Sequence, residues 1–285
     1  MRSEDLPSIL QIEQSAFNAK HSREPLYLKK YLEFSPQACF VATHNNKVIG
    51  FVFSIINGPV GWIALLAVHP QFQRQTIGKT LFLETLNYLR SKTETVGLQL
   101  PYKPEVLSPF LINSGFQFVE PQIIFSAKTT VLKSFNQDLP EFPLNWDDIY
   151  NVNIFAGDSN KSNLTTAVNI KNDNFHYGTF VLETKHRRQS ENLSIGIISS
   201  GGCIRNLSCS FLTYGLNSIA VCSEKFDFDE IYFAINSFYN REIEWLCRNG
   251  CIIKKIVQRM VMTKSVSSYK QLLSRPQIDL TNWSV

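Results

Sequence analysis

Val68-His69-Pro70-Gln71-Phe72-Gln73-Arg74-Gln75-Thr76-Ile77-Gly78-Lys79 is the stretch on which the fold turns. Before it runs Gly61-Trp62-Ile63-Ala64-Leu65-Leu66-Ala67-Val68, apolar and closed by Pro70, which reads as a buried strand with its stop signal. After it, Ile77, Leu81, Phe82, Leu86, Tyr88 and Leu89 fall on one half of a helical wheel, with Lys79, Thr80, Glu84, Asn87 and Arg90 on the other. The stretch is therefore a strand, a short basic loop and the start of a helix. The first turn of a helix leaves N–H groups unpaired and carries the positive end of the helix dipole. Such an end suits phosphate. Gly78 lets a ligand approach the backbone, and Arg74 and Lys79 add positive charge. Two readings stand: a pyrophosphate cradle, or a strand-to-helix turn with a solvated basic face.

Gln73-x-x-Thr76-x-Gly78 resembles the acyl-CoA loop of the GNAT superfamily of N-acetyltransferases, whose usual pattern is Gln/Arg-x-x-Gly-x-Gly/Ala. Val68-His69-Pro70 before it and Leu81 after it stand where that family places them. The resemblance implies that the backbone N–H groups of this loop hold the pyrophosphate of acetyl-CoA as co-substrate. It also implies that the preceding strand offers backbone groups near Leu66 and Val68 to the pantetheine arm. The expected cofactor-binding residues are Leu66, Ala67, Val68, Gln73, Arg74, Gln75, Thr76, Ile77, Gly78 and Lys79. Thr76 departs from the pattern: it replaces the first glycine and narrows the approach.

A chain of 285 residues suggests two domains. With 44% hydrophobic and 18% charged residues it has ample core, which excludes general disorder. A net charge of +4 from scattered Lys and Arg does not point to nucleic acid. No apolar run reaches the ~18 residues of a membrane helix, and Glu4 and Asp5 do not suit a signal peptide, so a cytoplasmic protein is expected. Six cysteines include no Cys-x-x-Cys pair, and no metal site is expected.

In chain order, Ser3-Glu4-Asp5-Leu6 opens an amphipathic helix through Phe17, and residues 24–33 suggest a second. Strands are expected at 38–43, 48–56, 62–68 and 96–100, a helix at 77–90, a helix at 105–114 ended by Gly115, and a closing strand or hairpin at 116–127. GNAT domains usually begin with a strand; here only Met1 and Arg2 precede the first helix, so that strand is missing or the true start lies upstream. Residues 129–145, with Pro140 and Pro143 and no periodicity, read as a linker. The second half repeats the plan: a helix opened by Asp147-Asp148, then a loop at Phe155–Asp158 leading to a helix past Lys161 and Leu164. Strands at 175–185 and 193–199 are joined by a basic turn, His186-Arg187-Arg188. A helix at 207–219, a strand at 230–236, a helix at 241–248 and a strand at 251–262 complete it.

Phe110-Leu111-Ile112-Asn113-Ser114-Gly115-Phe116 compares with Trp245-Leu246-Cys247-Arg248-Asn249-Gly250-Cys251: an apolar helix end, a Gly cap and a return strand, seen twice. The chain thus resembles a tandem GNAT protein. The expected fold is α/β (α+β), two GNAT-like domains, each a mixed, mainly antiparallel sheet flanked by helices. Their expected bounds are 1–128 and a divergent 146–265, with a tail at 266–285. The second half has Gly201-Gly202 but no Gln/Arg-x-x-Gly-x-Gly, so one acetyl-CoA per chain is expected.

Acetyl transfer to an amine needs a fixed thioester, a neutral nucleophile and a proton for the leaving thiolate. The family often supplies a Glu on the strand before the loop and a Tyr four residues ahead of the late Gly-Phe. Here that strand, with Ala64 at its middle, has no acid, and the Tyr position is Leu111. Tyr102 is the nearest phenol in sequence and the candidate catalytic group. Two functions follow: an acetyl-CoA-dependent N-acetyltransferase acting on a small-molecule or peptide amine by direct attack in a ternary complex, or a catalytically inactive acyl-CoA-binding or interaction module. Neither nucleic acid nor membrane is an expected partner. The assembly is expected to be a monomer with an intrachain pseudo-dimer, or a homodimer.

Overall fold

In a computed structural model of the chain, the described residues are 1–17, 25–57, 59–100, 104–135, 165–171, 176–188, 193–203, 216–217, 220–221, 228–237 and 239–264. The chain divides into two compact units, the first built mainly from 1–119 and 259–270, the second mainly from 120–258. Among the described residues no helix is long and apolar enough to cross a membrane.

The first unit opens with α1 (Leu6–Phe17) and α2 (Pro25–Phe34). Strands β1 (Phe40–His44), β2 (Lys47–Asn57) and β3 (Val60–Val68) follow as an antiparallel meander. The β1–β2 turn places Asn45 and Asn46 at φ 48° and 60°, a region where asparagine is favoured among side-chain-bearing residues. Helix α3 (Ile77–Lys92) carries the chain over to β4 (Thr95–Leu100), which pairs parallel with β3. Such a crossover is what parallel pairing requires.

Alternation along β2 sorts its side chains between two layers. Gly50 faces α3, where a Cβ would stand 3.1 Å from Leu81. Phe51 and Phe53 are fully buried, and Phe53 lies 5.7 Å from the ring of Tyr31 on α2. Leu6, Ile9 and Ile12 of α1, and Leu28 and Leu32 of α2, are likewise buried. On the α3 side Leu81, Phe82, Leu86 and Leu89 are buried, while Tyr88 is only half-buried and donates its hydroxyl to Gln37 Oε1 at 3.1 Å. The wheel read from the sequence is thus the packed face, with Tyr88 at its margin.

Helix α4 (Pro104–Asn113) ends at Gly115, whose φ of +94° favours glycine. Phe116 N–H reaches Leu111 O at 3.0 Å and Gly115 N–H reaches Ile112 O at 2.9 Å. These two bonds form the Schellman motif, and Leu111 and Phe116, its expected apolar pair, are both buried. Met260 and Met262, from the far end of the chain, join the same core as Leu111 and Phe116. Lys264 N–H donates to Glu94 O at 3.0 Å, beside the start of β4. The strand expected wholly in the second half therefore contributes its residues from Arg259 onward to the first unit.

The second unit contains most of β5 (Gln117–Lys128), the short α5 (Thr129–Lys133), and β6 (Thr165–Lys171), β7 (His176–Arg188) and β8 (Leu193–Cys203). It continues with β9 (Glu230–Asn236), α6 (Asn240–Arg248) and the first half of β10 (Ile252–Thr263). Strands β6, β7 and β8 form a second antiparallel meander, β8 pairs parallel with β9, and β9 pairs antiparallel with β5. Helix α6 repeats the ending of α4: Cys251 N–H to Leu246 O at 3.0 Å, Gly250 N–H to Cys247 O at 3.5 Å, and Gly250 at φ +87°.

Three expectations change. The segment read as a linker begins with helix α5; Leu132 and Phe135 are buried, and Asn217 Nδ2 donates to the carbonyls of Leu132, Lys133 and Phe135. Where a helix is expected past Leu164, Thr165-Thr166-Ala167-Val168-Asn169-Ile170 forms β6, as its β-branched residues favour. His186-Arg187-Arg188 is not a turn: β7 continues through Arg188, which pairs with Leu193. The expected helix at Asp147-Asp148, the loop at 155–158, most of the 207–219 helix, linker residues 136–145 and the 266–285 tail lie outside the described residues.

Candidate acyl-CoA site

The site begins with an irregularity. Strand β3 pairs with β2 from Val60 through Val68, but Ile63 faces Ser54 while Leu65 faces Phe53. Ala64 is the extra residue of a β-bulge. At the same point β3 and β4 part. Their parallel pairs run Val60↔Thr95, Gly61↔Val96, Trp62↔Gly97 and Ile63↔Leu98, with none beyond, although both strands continue. From Ala64 onward one edge of β3 is open among the described residues.

The register shows which groups line that edge. His69 N–H donates to Ile49 O on β2 at 2.8 Å. By alternation, the backbone of Ala67 also faces β2 and that of Leu66 and Val68 faces the opening. Leu66 and Val68 thus present their backbone to the open edge, the side on which the expected pantetheine arm would lie. Ala67 does not: its backbone is turned to β2 and its side chain is buried. One acceptor on the edge is used internally, because Gln73 Nε2 donates to Val68 O at 2.9 Å. The Gln73 side chain therefore pins the loop to the end of β3, and Leu66 N–H and C=O and Val68 N–H remain on that edge.

A short 3₁₀ turn, Pro70–Phe72, follows the strand. His69 caps it: Nδ1 accepts from Gln71 N–H at 3.3 Å, and its ring lies 5.9 Å from Phe72. This is a structural use of His69. The chain then passes Arg74 at φ 61° and Thr76 at φ 64°, two left-handed residues that are not glycine. Thr76 precedes the right-handed Ile77, and alternating left- and right-handed residues turn successive N–H groups into one concavity suited to an anion. The first helical bond is Thr80 N–H to Thr76 O at 2.9 Å, so the N–H groups of Ile77, Gly78 and Lys79 precede any intrahelical acceptor. Gln73, Arg74, Gln75, Thr76 and Lys79 are exposed around this mouth.

Gly78 is a matter of room rather than of backbone angle. A Cβ there would point at β3, 3.6 Å from Val68 Cγ2 and 3.8 Å from Leu66 Cδ2. Alanine fits that gap, while a larger side chain fills the space between the helix start and the open strand edge. These residues fit a diphosphate followed by an extended amide chain. Thr76 carries the strain of the loop, because a β-branched residue in the left-handed region costs about 1–2 kcal/mol. Its hydroxyl donates to Gln75 O at 2.6 Å and caps nothing. Thr76→Gly is expected to raise unfolding stability in urea by about 0.5–1 kcal/mol, since the gain is partly offset by the freer unfolded chain.

Tyr102 lies outside the described residues. Leu111, at the position where the resemblance leads one to expect Tyr, is buried in the core of the first unit. The bulge at Ala64 is the feature of this site that sequence reading missed. Its signal was faint: nine consecutive strand residues, Val60–Val68, whose apolar run hides a change of face.

Bulge, parted strands and anion-shaped loop together make up the candidate site on this α/β scaffold. Residues 6–100 match the model of the acetyltransferase (GNAT) family, and this segment is a GNAT-family domain. No curated protein matches the sequence. Solved structures share the fold at low identity. A Pyrococcus horikoshii protein described as an acetyltransferase is 14% identical over 99% of this chain and 93% of its own, with a TM-score of 0.59. A GCN5-related N-acetyltransferase of Anabaena variabilis is 14% identical over 93% of this chain and 72% of its own, also at 0.59. A tandem GNAT protein of the clavulanic acid biosynthesis pathway is 13% identical over 92% of this chain and 95% of its own, at 0.57.

Proposed function

We propose that the protein is an acetyl-CoA-dependent N-acetyltransferase that acetylates an amine of a small molecule or peptide by direct attack in a ternary complex. The observation that carries this reading is the coincidence of the Ala64 bulge with the parting of β3 and β4, directly ahead of the Gln73–Gly78 loop. Acetyl-CoA supplies the activated acetyl group when bound. The N–H groups of Ile77, Gly78 and Lys79 hold its diphosphate, with Arg74 and Lys79 adding charge, and the Leu66 and Val68 edge holds the amide arm. Held so, the thioester lies near Ala64, and positioning alone lowers much of the barrier. Ala64 offers no base and Leu111 no proton donor, so the amine arrives neutral from solvent; Tyr102 is the candidate donor to the departing sulfur.

A second reading, an inactive acyl-CoA-binding or interaction module, is favoured by the same Ala64 and Leu111. The enzyme and an acyl-CoA-binding module both predict that calorimetry finds about one tightly bound acetyl-CoA per chain. They part on thiol release from acetyl-CoA across a panel of amines. Amine-dependent release that rises with pH toward the amine's own pKa supports the enzyme. Binding without release supports the acyl-CoA-binding module, and no binding overturns the acetyltransferase and leaves the interaction module.

A further inference from the structure

Strand β3 offers its two faces to different layers. Ile63, Leu66 and Val68 stand opposite Ser54, Val52 and Gly50, on the face packed by the buried side chains of α3. Trp62 and Leu65 stand opposite Ile55 and Phe53, on the other face, where the Phe53 ring lies 5.7 Å from that of Tyr31 on α2. The α3 face is closed by its core. On the other face Trp62 and Leu65 are half-buried, as is Gln99, which alternation sets on the side of Gly97 just past the last pair of β4 with β3. An amine that attacks a thioester held near Ala64 therefore enters over Trp62 and Leu65.

Trp62 holds a polar group that the fold does not use. Its indole Nε1 is buried and has no acceptor among the described residues. Buried donors are paired with few exceptions, because an orphaned one forfeits the hydrogen bond it made to water in the unfolded chain. The ring is fixed in place. A Cβ on Gly97 would stand 2.2 Å from Trp62 Cζ3 and 2.4 Å from Cε3, so the six-membered ring covers β4 and the N–H lies on the other side of the indole. The neighbours Ile55 and Phe53 are apolar and buried, and a phenyl ring would pack against them without leaving a donor unpaired.

From this we infer that Trp62 Nε1–H selects the acceptor: it binds a neutral carbonyl oxygen one carbon from the attacking amine, as at the terminus of a peptide or in an amino acid amide. The inference rests on the reading of the protein as an acetyltransferase and narrows its acceptor class. An indole N–H donates and cannot accept, so its partner is an acceptor atom. Ile55 and Phe53 supply no cation, so a carboxylate there would be desolvated without a counter-charge, and a neutral carbonyl costs less. Trp62 and Ala64 are two residues apart, about 6–7 Å along the strand. An amine, one carbon, a carbonyl and a hydrogen bond of about 2.9 Å span that separation. The N–H is covered in the free protein, so it pairs as the acceptor enters, and the bond favours acceptor binding rather than folding.

The test is steady-state acetylation by the full chain at saturating acetyl-CoA, with glycinamide and ethylamine as acceptors, in the wild type and Trp62→Phe. The variant keeps an aromatic ring beside Gly97 and removes the N–H. Comparing each amine between the two proteins cancels the different basicities of the amines. The variant is expected to raise the KM for glycinamide about five- to tenfold, the worth of one hydrogen bond, with kcat and the KM for ethylamine each within about twofold. The urea midpoint is expected not to fall, since no hydrogen bond of the free protein is lost. A tryptophan with a structural role alone would move both amines together, and that result overturns the role of Trp62. So does a wild type that acetylates ethylamine but not glycinamide. Should Trp62→Phe not fold, the wild type serves: with coenzyme A bound, glycinamide is expected to move the Trp62 indole N–H proton resonance downfield and ethylamine to leave it in place. No such shift overturns the role of Trp62 while leaving the acetyltransferase intact. Transfer to no amine at all overturns the acetyltransferase, and the acceptor class with it.

Discussion

Gly97→Ala is expected to destabilise the protein by about 3 kcal/mol, at the upper end of ordinary overpacking. Gly97 is buried in β4 directly opposite Trp62 of β3. A Cβ on Gly97 would stand 2.2 Å from Trp62 Cζ3 and 2.4 Å from Cε3, well inside contact distance for both ring atoms. The obstacle is a rigid indole rather than the loose end of a flexible side chain. Trp62 has little freedom to withdraw, because its neighbours Gly61 and Ile63 are buried, and a Cβ on Gly61 would meet Leu89 at 3.0 Å. Urea unfolding of the variant against the wild type checks the expectation. Trp62→Leu in the same chain is expected to recover about half of the loss, since a smaller side chain at 62 readmits the methyl group. A double variant no more stable than Gly97→Ala alone would show that the clash is not the cause. The position matters beyond stability, because Trp62↔Gly97 is the next-to-last pair before the two strands part.

The second large effect concerns binding. Gly78→Trp is expected to weaken acetyl-CoA by at least about a hundredfold, equivalent to about 2.7 kcal/mol, with little change in the urea midpoint. The side chain at position 78 projects toward Leu66 and Val68, into the space between the open strand edge and the first turn of α3. Indole fills that space and holds the diphosphate off the N–H groups of Ile77 to Lys79. Folding is spared because Gly78 is not at positive φ and is only partly buried. Gly78→Ala is the graded control. Its methyl meets nothing closer than 3.6 Å, and a change in affinity of less than about threefold is expected. Equal losses for alanine and tryptophan would mean that the site depends on backbone freedom at 78 rather than on room.

The two halves were not equally legible in the sequence. In the first, apolar runs, apolar periodicity and the turn residues located the strands and the α-helices within a few positions, because its helices bury one face and its central strands β2 and β4 are buried on both. Gly115 and Gly250 were readable as helix stops because a left-handed cap all but requires glycine, and the apolar pairs Leu111–Phe116 and Leu246–Cys251 accompany them. In the second half, Thr165–Lys171 was missed as a strand, since a seven-residue run beginning Thr-Thr has no clear period. His186-Arg187-Arg188 was read as a turn because charge usually marks one. In β7 those residues extend a strand whose partner sets its length.

The local chemistry of the chain determined its strands, its helix caps and the loop between Val68 and Gly78, because these depend on residues within one or two turns of each other. Three further features belong to tertiary structure alone. The Ala64 bulge and the parting of β3 from β4 arise from pairing between strands, and an apolar run does not record which partner it keeps. Gln73 was legible as a loop residue, but its donation to Val68 O is a contact that only the folded loop creates. Residues from Arg259 onward complete the first unit's core from the far end of the chain, a long-range choice that no local period can encode.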